Sequence, residues 1–199
     1  MQLHQMPSSG NCYKCVLVLA QLGIAYTSRD LDIRDGSTRT PEFLALNANG
    51  RVPLLITDDG VALAESNAII HYLAEGSALL PTARLAHAQV LQWMFFEQYS
   101  HEPYIATNRF YRVLAPDPSQ HVERMAENAP RGRAALAVME AHLAQRDFFV
   151  GDYSIADVAL FAYTHVAEEG GYDLAPYAAV RAWIERVRST PGFVPMPSS

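Results

Sequence analysis

Two stretches of this chain hold residues of the kinds that bind and react. The first is Ser8-Ser9-Gly10-Asn11-Cys12-Tyr13-Lys14-Cys15, where hydroxyls, an amide, two thiols and an amine lie close together. The second is Gly50-Arg51-Val52-Pro53-Leu54-Leu55, followed by Ala64-Glu65-Ser66-Asn67-Ala68-Ile69. Val52-Pro53 sits where a loop turns into an apolar run. Proline cannot donate to a ladder and suits the first position of a strand. X-Pro is also the common place for a cis peptide, and a cis bond here would turn the Val52 backbone N–H and C=O toward an extended ligand. Glu65-Ser66 opens an amphipathic helix, with Ser66 the candidate N-cap. Free N–H groups at such an end attract a carboxylate, and Glu65 beside them attracts an ammonium. One corner can thus hold both charges of an α-amino acid end group. Taken singly, Val-Pro also reads as a plain turn and Glu-Ser as a plain cap. Cys12-x-x-Cys15 has the spacing of a dithiol redox pair. Against that, Cys15 falls a helical turn further in, among apolar residues, and reads as core.

The elements that must position these residues follow from the pattern around them. Leu3 to Met6 is a short strand, and Pro7 to Asn11 a loop. A helix from Cys12 to Leu22 stops at Gly23, and Val16, Leu19, Ala20 and Gly23 keep the i, i+3, i+4, i+7 spacing of one face. Ile24 to Asp32 reads as a second strand. Thr40 caps a short helix that begins at Pro41 and ends near Asn49-Gly50. Leu54-Leu55-Ile56 turns at Asp58-Asp59-Gly60 and returns as Val61-Ala62-Leu63, a hairpin. Strand, helix, strand, helix, hairpin, helix is the order of a thioredoxin-like α/β unit of about 75 residues. It is expected over 1–76, and 77–84 reads as linker, marked by Gly76-Ser77 and Pro81-Thr82. In such a unit the reactive group lies between the first strand and the first helix, because helix N-terminal N–H groups stabilise an anion.

The remainder, 85–199, is expected to be all helical. A long aromatic-rich helix from Arg84 to about Leu114 should kink at Pro103. Ala115-Pro116-Asp117-Pro118 breaks the chain. A second run to Arg146 should be interrupted at Pro130, since the residue before a proline is pushed out of the helical region. Ser154-Ile155-Ala156-Asp157 has the form of a capping box with Asp in place of Glu, opening the apolar helix Val158-Ala159-Leu160-Phe161. Tyr177 to Arg188 is the last helix, ended by Pro191-Gly192-Phe193. Tyr104, Asn108, Tyr111 and Arg112 share a helical face that suits a second-substrate surface and plain packing equally well.

The order Asn-Gly-Arg-Val-Pro-Leu-Leu, hairpin, Ala-Glu-Ser-Asn-Ala-Ile resembles the glutathione site of the cytosolic glutathione transferases. The Ser-x-x-Asp box, after a short turn in the helical part, is similar to that family's folding element. The resemblance covers nearly the whole chain and is weakest over roughly 98–135, where members of the family diverge. It implies a thioredoxin-like domain followed by an all-helical domain, glutathione as co-substrate, and a homodimer. It also implies that Val52, next to Pro53, pairs through its backbone with the cysteinyl part of glutathione, and that Glu65 and Ser66 hold its γ-glutamyl end. Arg51 suits bidentate pairing with the glycine carboxylate, or is a solvated loop charge. Aligning Lys14 with the basic residue such loops keep places Ser9 at the catalytic Ser or Cys position. Asn11-Cys12-Tyr13-Lys14 matches the Asn-x-x-Lys of the disulfide-reductase-like nu class, which has a hydroxyl residue two before the Asn. Ser9 and Asn11 are therefore both candidates for contact with the sulfur. In that register the first thioredoxin-type cysteine falls at Ser9, so Cys12 lacks its attacking partner. The activity implied is thiol activation for attack on an electrophilic small molecule. The alternatives are a glutathione-dependent disulfide reductase or peroxidase of nu type, and a non-catalytic glutathione-binding or regulatory protein.

Bulk composition fits that picture. The chain has 199 residues, half of them hydrophobic and 18% charged, which is globular rather than disordered. A formal charge of −6 with no basic cluster argues against nucleic acid. No run approaches the roughly 18 apolar residues of a membrane span. The N-terminus lacks a basic start and an apolar run, so no signal peptide is read and the cytoplasm is the expected compartment. Two cysteines three apart make no secreted disulfide framework. They are too few for zinc, and the seven histidines are scattered, so no metal is expected.

Overall fold

Strand β1 (Gln2–Gln5) lies inside a four-stranded sheet of order β2-β1-β3-β4. It runs parallel to β2 (Thr27–Asp30) and antiparallel to β3 (Leu54–Ile56), which pairs with β4 (Ala62–Ala64) as a hairpin. The two inner strands supply the fully buried Leu3, Leu54 and Leu55, with Leu3 directly across from Leu55. β2 is exposed along its length, as an edge strand is. The stretch read as a strand from Ile24 to Asp32 pairs only over Thr27–Asp30. The computed structural model describes residues 1–197. They pack as two units, Met1–Ser77 with the segment from Pro191, and Ala78–Thr190. The helical part read as 85–199 ends in two positions outside the described residues.

In the first unit, α1 (Gly10–Gln21) begins two residues before the position its apolar spacing predicts, because Ser9 caps it. It ends as expected at Gly23 (φ 64°), where the Gly23 N–H donates to Ala20 O at 3.1 Å and the Ile24 N–H to Leu19 O at 2.9 Å. Thr40 caps α2 (Pro41–Leu46), accepting from the Phe43 N–H at 3.2 Å. The Phe43 ring meets His4 of β1 at 6.0 Å. α3 (Ser66–Ala74) packs on α1. The segment from Pro191, which the sequence grouped with the helices, packs here instead. Tyr13 donates its hydroxyl proton to Val194 O at 2.7 Å, and Gly192 lies so close to α1 that a Cβ on it would sit 2.8 Å from the Gln21 Cα.

In the second unit, α4 (Arg84–Phe96) leads through a π-helical turn, Glu97–His101, into α5 (Glu102–Arg109). A further π-helical turn follows at Phe110–Leu114. Pro103 thus sits where the bonding pattern has already shifted, so its missing N–H interrupts no regular turn. α6 (Val122–Leu143) runs straight through Pro130, against expectation. Its buried face Asn128, Gly132, Ala135, Leu136, Met139, Leu143 packs on α5 and on α8 (Ala178–Arg188) to either side of the proline. Packing along that face outweighs one lost hydrogen bond. α7 (Ile155–Thr164) is buried along its whole length. Ser154 and Asp157 form the expected capping box at its start.

α7 also ends on a titrating group. The His165 ring stacks on Phe161 at 4.4 Å and its Nδ1 lies 2.7 Å from Phe161 O. Burial lowers its pKa to about 4, against the upward pull of the Phe161 carbonyl. A lowered histidine contributes stability above its unfolded pKa, near 6.5, and loses it as pH falls toward 4. The contribution is about 3 kcal/mol. Asp157, raised to about 6 by burial, acts with the opposite sign between its unfolded pKa of 3.8 and that value. Replacing His165 by Phe keeps the stacked ring and removes the titration. The variant should lose less melting temperature than the parent between about pH 6.5 and pH 4. Equal acid slopes in the two proteins would remove His165 from this role.

Candidate functional site

The N-terminus of α1 presents Ser9 and Asn11. Ser9 Oγ accepts the Cys12 N–H at 3.4 Å, a capping bond that leaves its own proton to donate. Asn11, half-buried at the second helical position, accepts at Oδ1 the Ser66 hydroxyl proton at 3.1 Å. Ser66 Oγ in turn accepts from Lys14 Nζ at 3.4 Å. Lys14 is fully buried. The fold therefore brings residues 8–15 and 64–69, far apart in the chain, onto one hydrogen-bonded line.

That line corrects one expectation. Ser66 is not the N-cap of α3; it is the first helical residue, and Glu65 holds the capping position without a side-chain bond to the helix. The Ser66 hydroxyl is engaged by Asn11 and Lys14. Glu65 is exposed and, among the described residues, is the one non-glycine with positive φ (70°, ψ 114°). Such a backbone is strained for a side-chain-bearing residue, and strain of this kind gathers at ligand sites.

On the other side of the hairpin, the Val52–Pro53 peptide is cis, and Pro53 is buried immediately ahead of β3. Val52 precedes the ladder, and neither its N–H nor its C=O takes a partner among the described residues. Asn47 pins the approach, donating from Nδ2 to Arg51 O at 2.8 Å and accepting the Asn49 N–H at 3.1 Å. Gly50 (φ 62°) is required there, since a Cβ would fall 2.4 Å from Arg39 Nη1 and 2.9 Å from Thr38 O. Arg39 donates to Asn49 O at 3.0 Å, so its guanidinium braces the loop. The Arg51 side chain is exposed.

The cysteines are unlike a reactive pair. Both are free and fully buried. Burial pushes the Cys12 thiol up to about 11, although the Met6 N–H donates to its sulfur at 3.3 Å. Burial and the neighbouring Cys12 push Cys15 well above the usual thiol range. A nucleophilic cysteine needs a low pKa and access, and neither has them. No group of three or more metal-ligating side chains occurs among the described residues.

In the second unit, Asn108 is buried, donating to Met125 O at 3.1 Å and accepting from Asn128 Nδ2 at 3.0 Å, so it joins α5 to α6. Tyr104 accepts from Arg131 Nη1 at 3.2 Å, and Tyr111 stacks on His121 at 4.1 Å. The residue that sequence reasoning passed over is Lys14, used only as a marker of register. Its one sequence signal is a cation between the apolar Tyr13 and Cys15 on a helix otherwise rich in buried side chains.

The site as built offers donors at a helix N-terminus, bare backbone groups at Val52, and an acid with a hydroxyl at a second helix start. Comparison with known proteins points the same way. The profile of the glutathione S-transferase N-terminal domain matches residues 8–75, and that of the C-terminal domain matches 79–191. A glutathione S-transferase structure from Pseudomonas fluorescens is 49% identical with a TM-score of 0.96, covering 99% of this chain and 98% of that one. The disulfide-bond oxidoreductase YfcG of Escherichia coli is 31% identical over 190 residues, 91% of this chain and 87% of that protein. A glutathione transferase from Pseudomonas putida, solved with one glutathione disulfide bound per subunit, is 26% identical with a TM-score of 0.83, covering 96% of this chain and 87% of that one.

Proposed function

Because this chain belongs to the glutathione S-transferase family, we propose that it binds glutathione along Val52, Pro53, Glu65 and Ser66 and activates its thiol at Ser9 and Asn11. The thiolate then attacks an electrophilic small molecule. The observation that carries this reading is the 3.1 Å bond from Ser66 to Asn11, which joins the proposed thiol-donor amide to the acid-serine pair within one unit. Glutathione's free thiol has a pKa of about 8.5 and is mostly protonated at neutral pH. Donors aimed at the sulfur favour the thiolate, and each unit of lowering is worth about 1.4 kcal/mol. The proton leaves to solvent, the sulfur bonds to the electrophile, and the leaving group departs with its electron pair. We assign the glycine carboxylate to Arg51, which is exposed on the same loop as Val52 and suits bidentate carboxylate pairing. The proposed assembly is a homodimer in the cytoplasm, acting on a small electrophile or a disulfide. Exposed Leu85 and Phe95 on α4 and Tyr99 in the turn after it supply apolar surface suited to a second copy.

A second reading, glutathione-dependent disulfide reduction, is favoured by Asn11 with a hydroxyl two residues ahead and by the likeness to the Escherichia coli oxidoreductase. A chloroarene and a small glutathione-reducible disulfide assayed side by side separate the two. Ser9→Ala and Asn11→Ala should each lower the thiolate of bound glutathione, read by absorbance near about 240 nm. Unchanged thiolate in both variants would place the donor elsewhere.

A further inference from the structure

We propose that Lys14 is a positioning residue that sets the Asn11 amide through Ser66, so that the γ-glutamyl-binding hydroxyl and the thiol donor act as one hydrogen-bonded relay. The inference rests on the glutathione-binding reading above. Its structural basis is the direction of the bonds. Lys14 Nζ, with donors and no acceptor, can only donate to Ser66 Oγ, at 3.4 Å. Accepting from Lys14 leaves the Ser66 hydroxyl its own proton to donate, and it goes to Asn11 Oδ1 at 3.1 Å. With its oxygen so held, the Asn11 amide meets a ligand sulfur through Nδ2, its donating end. A flipped amide would turn an oxygen toward the sulfur and disfavour the thiolate. All three groups sit at the facing starts of α1 and α3, with Lys14 and Ser66 buried. In a low-dielectric setting successive hydrogen bonds polarise one another, so a cation at the head of the chain strengthens the donor at its end.

The test titrates the thiol of glutathione bound at saturation, by thiolate absorbance, in the parent, Lys14→Met, Asn11→Ala and the double variant. Lys14→Met keeps the length of the apolar stem and removes the donor. It should raise the bound thiol pKa by about one unit, a tenfold loss of thiolate well below the pKa. Glutathione should still saturate the variant. In the Asn11→Ala background the same substitution should change nothing further, because the relay has lost its end. Equal effects of Lys14→Met with and without Asn11 would mean that the amine acts through its field alone, and would overturn the relay. So would an unchanged thiol pKa in Lys14→Met. A parent protein that binds no glutathione overturns the functional reading itself, a distinct result. Should Lys14→Met not fold, Ser66→Ala severs the chain one link nearer the amide, and the same titration and the same double variant decide.

Discussion

Glu65→Ala should abolish most of the thermal stabilisation that glutathione confers on this protein. A ligand that binds only the folded state raises stability by RT ln(1 + [L]/Kd), so the shift in melting temperature tracks affinity. In the proposed site Glu65 faces the γ-glutamyl ammonium, and a charge-assisted bond of that kind is worth about 1.5–3 kcal/mol. Affinity should therefore fall roughly tenfold to more than a hundredfold. The fold should be unharmed, because Glu65 is exposed and makes no side-chain bond to the helix it precedes. Removing the side chain does not relieve the positive φ, since alanine is as poorly suited to it as glutamate. The unliganded protein should melt close to the parent temperature. A full glutathione shift retained in Glu65→Ala would count against the whole corner.

The largest stability effect is expected at Asp157. One carboxylate oxygen accepts from Trp183 Nε1 at 2.9 Å and from the Phe149 N–H at 3.2 Å. The other accepts from the Ser154 N–H at 3.0 Å and its hydroxyl at 3.3 Å. The side chain is wholly buried where Trp183 meets Phe149, whose ring centroids are 5.3 Å apart. Asp157→Ala leaves those donors buried with no acceptor. The expected cost is about 3–5 kcal/mol, read as a lower denaturant midpoint. Asp157→Asn keeps one oxygen acceptor and should lose less. If both variants unfolded at the parent midpoint, the box would be an ornament of α7 and not its anchor. The effect belongs to folding alone, so any protein that survives should keep its glutathione shift, the converse of Glu65→Ala.

Much of this was legible in the order of residues. Alternation and turn signals placed β3, β4 and α3, since the Asp58-Asp59-Gly60 turn and the i, i+4 face of α3 are local features. Ser154 and Asp157 declared a helix start by spacing alone, and Thr40-Pro41 another.

Other features depended on partners distant in sequence. Pro130 argued for a break, yet the buried face from Asn128 to Leu143 is held by other helices and the break does not occur. The two cysteines keep the spacing of a redox pair; the sequence already set Cys15 among apolar residues, and the packing that buries both and raises both thiols is tertiary. Ser66 had every local mark of an N-cap, but its hydroxyl is claimed by Asn11, more than fifty positions earlier. The types of the candidate groups and the helix starts that carry them were thus determined by the sequence, because capping, turns and amphipathic spacing act over a few residues. Which atoms face one another was decided by the tertiary structure, because the hydrogen bonds that orient Asn11, Ser66 and Lys14 exist only after α1 and α3 have packed together.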